Sequence, residues 1–120
     1  MLVNKYKRLI RLDPESEEGS IEYKYCLKQH KSPKLYSQIT YRINNGNGNA
    51  IIYLGVTDNG FGIGITQEMM DITLVVIINS LIYANAEVNS VTIYPGYYDE
   101  HYVVKLNIIG IVEEPDFISF

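Results

Sequence analysis

Ala50-Ile51-Ile52-Tyr53-Leu54-Gly55-Val56-Thr57-Asp58-Asn59-Gly60-Phe61-Gly62-Ile63-Gly64-Ile65-Thr66 is the stretch whose reading decides the fold. The mostly apolar run from Ala50 to Thr57 predicts a buried strand. Asp58-Asn59-Gly60 are residue types that accept positive φ cheaply, so they predict a hairpin turn. Phe61 to Ile65 then returns as the partner strand. Thr66 supplies a hydroxyl N-cap, with Gln67 and Glu68 in the first turn of the helix that follows. Met70, Leu74, Ile77, Leu81 and Ala84 recur at helical spacing and predict its buried stripe. The β-branched run Ile72 to Ile78 lowers helix propensity. Length and the capping residue still favour a helix.

Working outward toward the N-terminus, Asn44-Asn45-Gly46-Asn47-Gly48-Asn49 reads as a helix stop, since Gly and Asn tolerate the left-handed conformation. The helix it ends begins at Ser32-Pro33, a hydroxyl cap followed by proline at the first helical position. It places Leu35, Ile39 and Ile43 on one side. Ile21 to Leu27 alternates as a half-buried strand does. Toward the C-terminus, strands near Val88 to Tyr94 and Tyr102 to Val112 are joined through Pro95-Gly96. The order β-α-β-β-α-β-β predicts an α+β domain, a largely antiparallel sheet with two helices on one face. Residues 19–120 form this single domain. Residues 1–18 precede it as a basic arm and an acidic linker in which Pro14 interrupts regular structure.

Composition narrows the class of protein. The chain is 47% hydrophobic over 120 residues, enough to build one core. No apolar run reaches the ~18 residues of a membrane span, and the N-terminus lacks a secretory pattern. Cys26 is the only cysteine, so no internal disulfide can form and a reducing, cytoplasmic setting is expected. The net charge of −4 is unevenly spread. Residues 1–42 carry nine cations against five acids, whereas residues 43–120 carry Lys105 alone against nine acids. That asymmetry allows a basic patch on an acidic protein, or merely a solvated charged surface.

Motifs for chemistry are sparse. Asp58-Asn59-Gly60-Phe61-Gly62 resembles the Asp-x-Gly-x-Gly box of the gyrase, heat-shock-protein and histidine-kinase ATPases, or is a plain hairpin. The helix before it offers Gln38 and Arg42 where those ATPases carry a metal-binding asparagine. Gly46-Asn47-Gly48 reads as a helix stop or as a backbone cradle for phosphate, although such cradles normally enter a helix rather than leave one. His30 and His101 are isolated, and one cysteine cannot complete a zinc set. No catalytic residue, metal or cofactor is expected. Of the eleven tyrosines, Tyr23, Tyr25, Tyr36 and Tyr41 interleave with cations. Such a mixture suits RNA, by phosphate neutralisation and base stacking, or simply a tyrosine-rich strand surface.

One ordered series of short motifs runs through the chain: Gly19-Ser20-Ile21-Glu22-Tyr23-Lys24, Gln38-Ile39-Thr40-Tyr41-Arg42-Ile43, Gly46-Asn47-Gly48-Asn49-Ala50, Ile52 to Gly60, and Gly64-Ile65. It resembles the region preceding the GTPase domain in the GTP-binding protein 1 and 2 group of translational GTPases. Ala86-Glu87-Val88 and Thr92-Ile93 continue the order, so the resemblance covers about residues 19 to 118. The sequence ends near the point where that family's GTPase strand and phosphate loop begin, and GTP hydrolysis is not expected. The long helix also departs, having exchanged charge for Ile, Val and Leu.

Taken alone, the domain also resembles the microsporidian ribosome dormancy factors. That resemblance implies a non-enzymatic factor in the tRNA exit (E) site, touching ribosomal RNA and ribosomal proteins and blocking translation. On this reading it contacts neither DNA nor membrane and sits on the ribosome as a monomer. The RNA contacts expected are Lys5, Lys7, Arg8, Arg11, Lys24, Lys28, Lys31, Lys34, Tyr41 and Arg42. Asn45, Gly46, Asn47 and Gly48 form a partner-contact loop. The alternative is a protein-interaction module that regulates a translational GTPase.

Overall fold

Two crossings of the chain over one face of a sheet organise the molecule, seen in a computed structural model that describes residues 2–3, 8, 11–26 and 32–111. Strand β1 (Leu2–Val3) and strand β2 (Ile21–Lys24) come first, then helix α1 (Ser32–Asn45) and strand β3 (Asn49–Leu54). Helix α2 (Gln67–Tyr83), strand β4 (Ala86–Pro95) and strand β5 (Tyr102–Gly110) follow. The sheet order is β1-β4-β5-β3-β2. Its long central ladders are antiparallel, with Asn49 opposite Ile109 in one and Pro95 opposite Tyr102 in the other. The flanking β2 and β1 pair in parallel with β3 and β4. The fold is therefore α+β with a mixed, mostly antiparallel sheet, as the element order predicts. The parallel pairing of β2 with β3 is what a crossover through α1 produces.

Both helices seal the same face. Leu35, Ile39 and Ile43 of α1 pack into a core with Ala50, Ile52 and Leu54 of β3 and Val104, Leu106 and Ile108 of β5. These strand residues alternate, as a sheet with one buried face requires. Thr66 caps α2 as expected, its hydroxyl accepting from Met69 N at 3.3 Å. The buried face of α2 is Met70, Thr73, Val76, Ile77, Ser80 and Leu81, with Leu74 and Ala84 only half-buried. The helix is apolar all round, so periodicity could not show which stripe turns inward. Ser80 enters the core because its hydroxyl donates to Val76 O at 3.0 Å.

The expected hairpin is not formed. β3 ends at Leu54, and Phe61 to Ile65 is a loop touching two segments by single bridges, Phe61 with Arg11 and Ile65 with Tyr102. Gly55 and Gly64 explain this, with φ of 81° and 90° that break the extended chain. A Cβ on Gly55 would stand 2.9 Å from Gly64 Cα, and one on Gly96 would also stand 2.9 Å from it. The three glycines thus let three backbone segments meet at one end of the sheet.

Residues 11–18, expected within a basic arm and acidic linker, lie against the domain. Leu12 N donates to Gly60 O and Glu15 N to Asp58 O, both at 2.7 Å. Tyr23 Oη donates to Asp13 O at 2.6 Å. Leu12 packs with Tyr53 and Tyr94 over a second small core of Tyr23, Val56 and Val103 on the face away from the helices. Among the described residues, no helix is long and apolar enough to cross a membrane.

Candidate nucleic-acid interface

The expected RNA-contact residues separate into three groups in space. Arg42 is 4% exposed. Its Nε donates to Glu22 Oε1 at 3.3 Å, and its terminal nitrogens donate to Ser16 O at 2.7 Å, Glu18 O at 3.0 Å and Gly19 O at 3.2 Å. These bonds tie α1 to β2 and to the segment before it. Arg42 therefore serves the fold, because its three guanidinium nitrogens are all engaged by these acceptors. The expectation that it contacts RNA is corrected on this ground.

A second group is mixed with acids. Lys24 Nζ lies 3.9 Å from Glu22 Oε2. Lys34 and Tyr41 are exposed on α1, where they line a shallow cleft of about 390 Å³ together with Arg42, Glu15, Glu17 and Glu22. Burial pushes the Glu15 carboxyl up, and a hydrogen bond with Glu22 adds to it, while the bond from Tyr23 N opposes both. Carboxylates crowded in this way make a poor seat for phosphate. Lys5, Lys7, Lys28 and Lys31 lie outside the described residues, as does His30.

The third group stands at the end of the sheet where the glycines meet. Arg8 is exposed, and one terminal nitrogen of its guanidinium donates to Gly96 O at 2.7 Å and to Tyr97 O at 3.2 Å. Arg11 is exposed with its guanidinium carbon 5.5 Å from the Phe61 ring centre. From Phe61 a row of rings continues: Phe61 to Tyr97 at 5.5 Å, Tyr97 to Tyr98 at 4.9 Å, Tyr98 to His101 at 5.7 Å. Tyr97 and Tyr98 are 51% and 57% exposed. A cleft of about 630 Å³ opens beside them, lined by Arg11, Thr57, Asp58, Asn59, Phe61 and Ile63.

The sequence pattern puts Phe61 in a strand and does not single out Tyr97 and Tyr98. The available signal was the aromatic doublet directly after Pro95-Gly96, in a connection where no core demands rings.

The two local motifs resolve differently. In the loop after α1, Gly46 N donates to Arg42 O at 3.0 Å, Gly48 N to Ile43 O at 3.0 Å and Asn49 N to Gly46 O at 3.2 Å. These N–H groups close the helix end and are not turned toward a ligand. Asn45 and Asn47 remain exposed on it, while Gly46 and Gly48 are half-buried. Asp58 is exposed, and the side of Gly60 that a Cβ would occupy is filled by the backbone of Leu12 and Asp13. His101 Nδ1 lies 2.9 Å from Asp99 O. Among the described residues, no group of three or more His, Cys, Asp or Glu side chains stands close enough to hold a metal ion.

No protein-family model matches the chain. Mouse and human GTP-binding protein 2 are each 39% identical to it over 66 residues. That alignment takes in 52% of this chain and 11% of each relative, so the chain spans about a tenth of the length of the curated proteins it matches. One segment of the domain is thus related to a segment of a GTP-binding protein.

Proposed function

We propose that this domain is a non-enzymatic factor that docks on the ribosome, occupies the tRNA exit site and blocks translation by filling it. The observation that carries this reading is the exposed end where Arg8 and Arg11 stand among Phe61, Tyr97, Tyr98 and His101. Cations interleaved with accessible rings suit RNA whose bases are unpaired. Relation to a segment of GTP-binding protein 2, in a group of translational GTPases, supplies the translational context. Among the described residues, the fold raises the pKa of Glu15, Tyr23 and Tyr53, each first by burial. Occupancy requires shape and a few anchors, and no bond is made or broken.

The test is sedimentation of the purified chain with 80S ribosomes over a range of salt, with labelled deacylated tRNA as competitor. Recovery with ribosomes that weakens as salt rises, and displacement of the labelled tRNA, are expected. Recovery that is equal in ribosome-free fractions, or tRNA that stays bound, would count against it.

A second reading has its own observation. Ile72, Val75, Ile78, Ile82 and Tyr83 of α2 are exposed, the last two at 70% and 75%. Together they make an exposed apolar ridge along one side of the helix, and large exposed apolar patches mark interaction sites. This favours a protein-interaction module that regulates a translational GTPase. Partner capture that survives nuclease and does not depend on Arg8 or Arg11 would distinguish it.

A further inference from the structure

We infer that the tip joining β4 to β5 captures an unpaired base of RNA, stacked on the exposed face of one of two rings, Tyr97 and Tyr98, that meet edge to face at 87°. The inference rests on the ribosome-docking reading and names what that end of the domain holds.

The tip is built to be rigid. Gly96 N donates to His101 O at 2.7 Å, His101 N to Tyr98 O at 3.2 Å, and Tyr97 N to Ile63 O at 3.0 Å. Arg8 grips the carbonyls of Gly96 and Tyr97 from outside. Glu100 holds φ of 58°, which a residue other than glycine seldom adopts. Two large rings are therefore held in water by a fixed backbone. They are ordered before anything binds, and that lowers the entropy lost on binding.

Charge decides how the ligand is held. Arg8 and Arg11 are offset by the exposed Asp58, Asp99 and Glu100 at the same end. Phosphate neutralisation is thus a minor contribution, and the π-faces dominate. Stacking on tyrosine tolerates any base but needs the base out of its helix. A duplex, whose bases lie stacked inside, offers no such face. Arg11 over Phe61 continues the row, since a guanidinium plane stacks as a ring does. Tyrosine-rich tips also serve protein recognition, but the row of rings, continued by the guanidinium of Arg11 over Phe61, favours a nucleobase.

The experiment uses the full chain, a fluorescent single-stranded RNA oligonucleotide and a blunt, loopless RNA duplex of equal charge. The variants are Y97A/Y98A and Y97F/Y98F, with thermal unfolding to show that each is folded. Single-strand binding with a shallow salt dependence is expected, falling about 10-fold or more in Y97A/Y98A and little in Y97F/Y98F. Three results would overturn the inference: no binding by the wild type, equal affinity for the duplex, or unchanged binding in Y97A/Y98A. Loss of a protein partner in Y97A/Y98A with oligonucleotide binding intact would also overturn it. Ribosome sedimentation keeps the two readings apart. Wild-type chain absent from ribosomes but showing tyrosine-dependent oligonucleotide binding would end the docking reading alone. Sedimentation retained with no tyrosine-dependent binding would end the base-capture inference alone.

Discussion

Arg42 Nε lies 3.3 Å from Glu22 Oε1, and both side chains are almost completely removed from water. The pair sits between α1 and β2, on the sheet face covered by the helices. Removing the cation alone strands a buried carboxylate, relieved only in part by Lys24 at 3.9 Å.

Arg42→Met is expected to lower unfolding free energy by about 3–5 kcal/mol, the usual cost of breaking a buried ion pair on one side. R42M/E22L should recover much of that loss, because no charge is then left unpaired. Urea unfolding measures both. A loss below ~1 kcal/mol in the single variant would show that the pair is hydrated in solution.

Glu15 makes stability depend on pH. Its carboxyl is raised above the ordinary value of 4.5, chiefly by burial. The folded chain then binds a proton more readily than the unfolded one. The stability this group contributes is fully present below pH 4.5 and is lost as pH rises through the raised value. Glu15→Gln keeps an acceptor for Tyr23 N and removes the titration. Its unfolding free energy should therefore change less across this range than that of the wild type. Parallel pH profiles for the two proteins would refute the assignment.

Gly64→Ala tests the meeting of the three glycines. The new Cβ would stand 2.9 Å from Tyr102 N and 3.0 Å from His101 C at a backbone φ of 90°. Backbone strain and crowding together should cost on the order of 3 kcal/mol. Thermal denaturation would show it as a lower midpoint. Gly48→Ala is the control, since it has a similar φ but nothing within 4 Å of the added atom, and it should cost less.

Ile82→Glu separates fold from partner on the α2 ridge. The side chain is mostly in water, so stability should change by less than about 0.5 kcal/mol. If α2 docks a protein, capture of that protein is lost while ribosomal RNA binding persists. Unaltered capture would remove α2 from the interface.

The legible parts of the molecule were those set by neighbours in sequence. Thr66 before Gln67-Glu68 marks a helix start because a hydroxyl satisfies a free N–H wherever the helix sits. Leu35, Ile39 and Ile43 share a face because of the helical turn alone. The tract 50–65 misled for a related reason. Asp-Asn-Gly does form a turn, with Gly60 N on Thr57 O at 2.8 Å, but Gly55 and Gly64 were free to adopt either backbone sign. Only packing against Tyr102 and Gly96 chose between them.

The sequence by itself determined both helices, the α+β class and the unequal distribution of charge, since local dihedral preference and side-chain periodicity act over a few residues. The tertiary structure alone decided which cations are available. Arg42 and Arg11 are the same chemical group, yet one is enclosed by acceptors around 20 residues distant and the other lies in water over Phe61. Arg8 reaches Gly96 across 88 residues of chain. Solvation is a property of the finished surface, and no local pattern of residues encodes it.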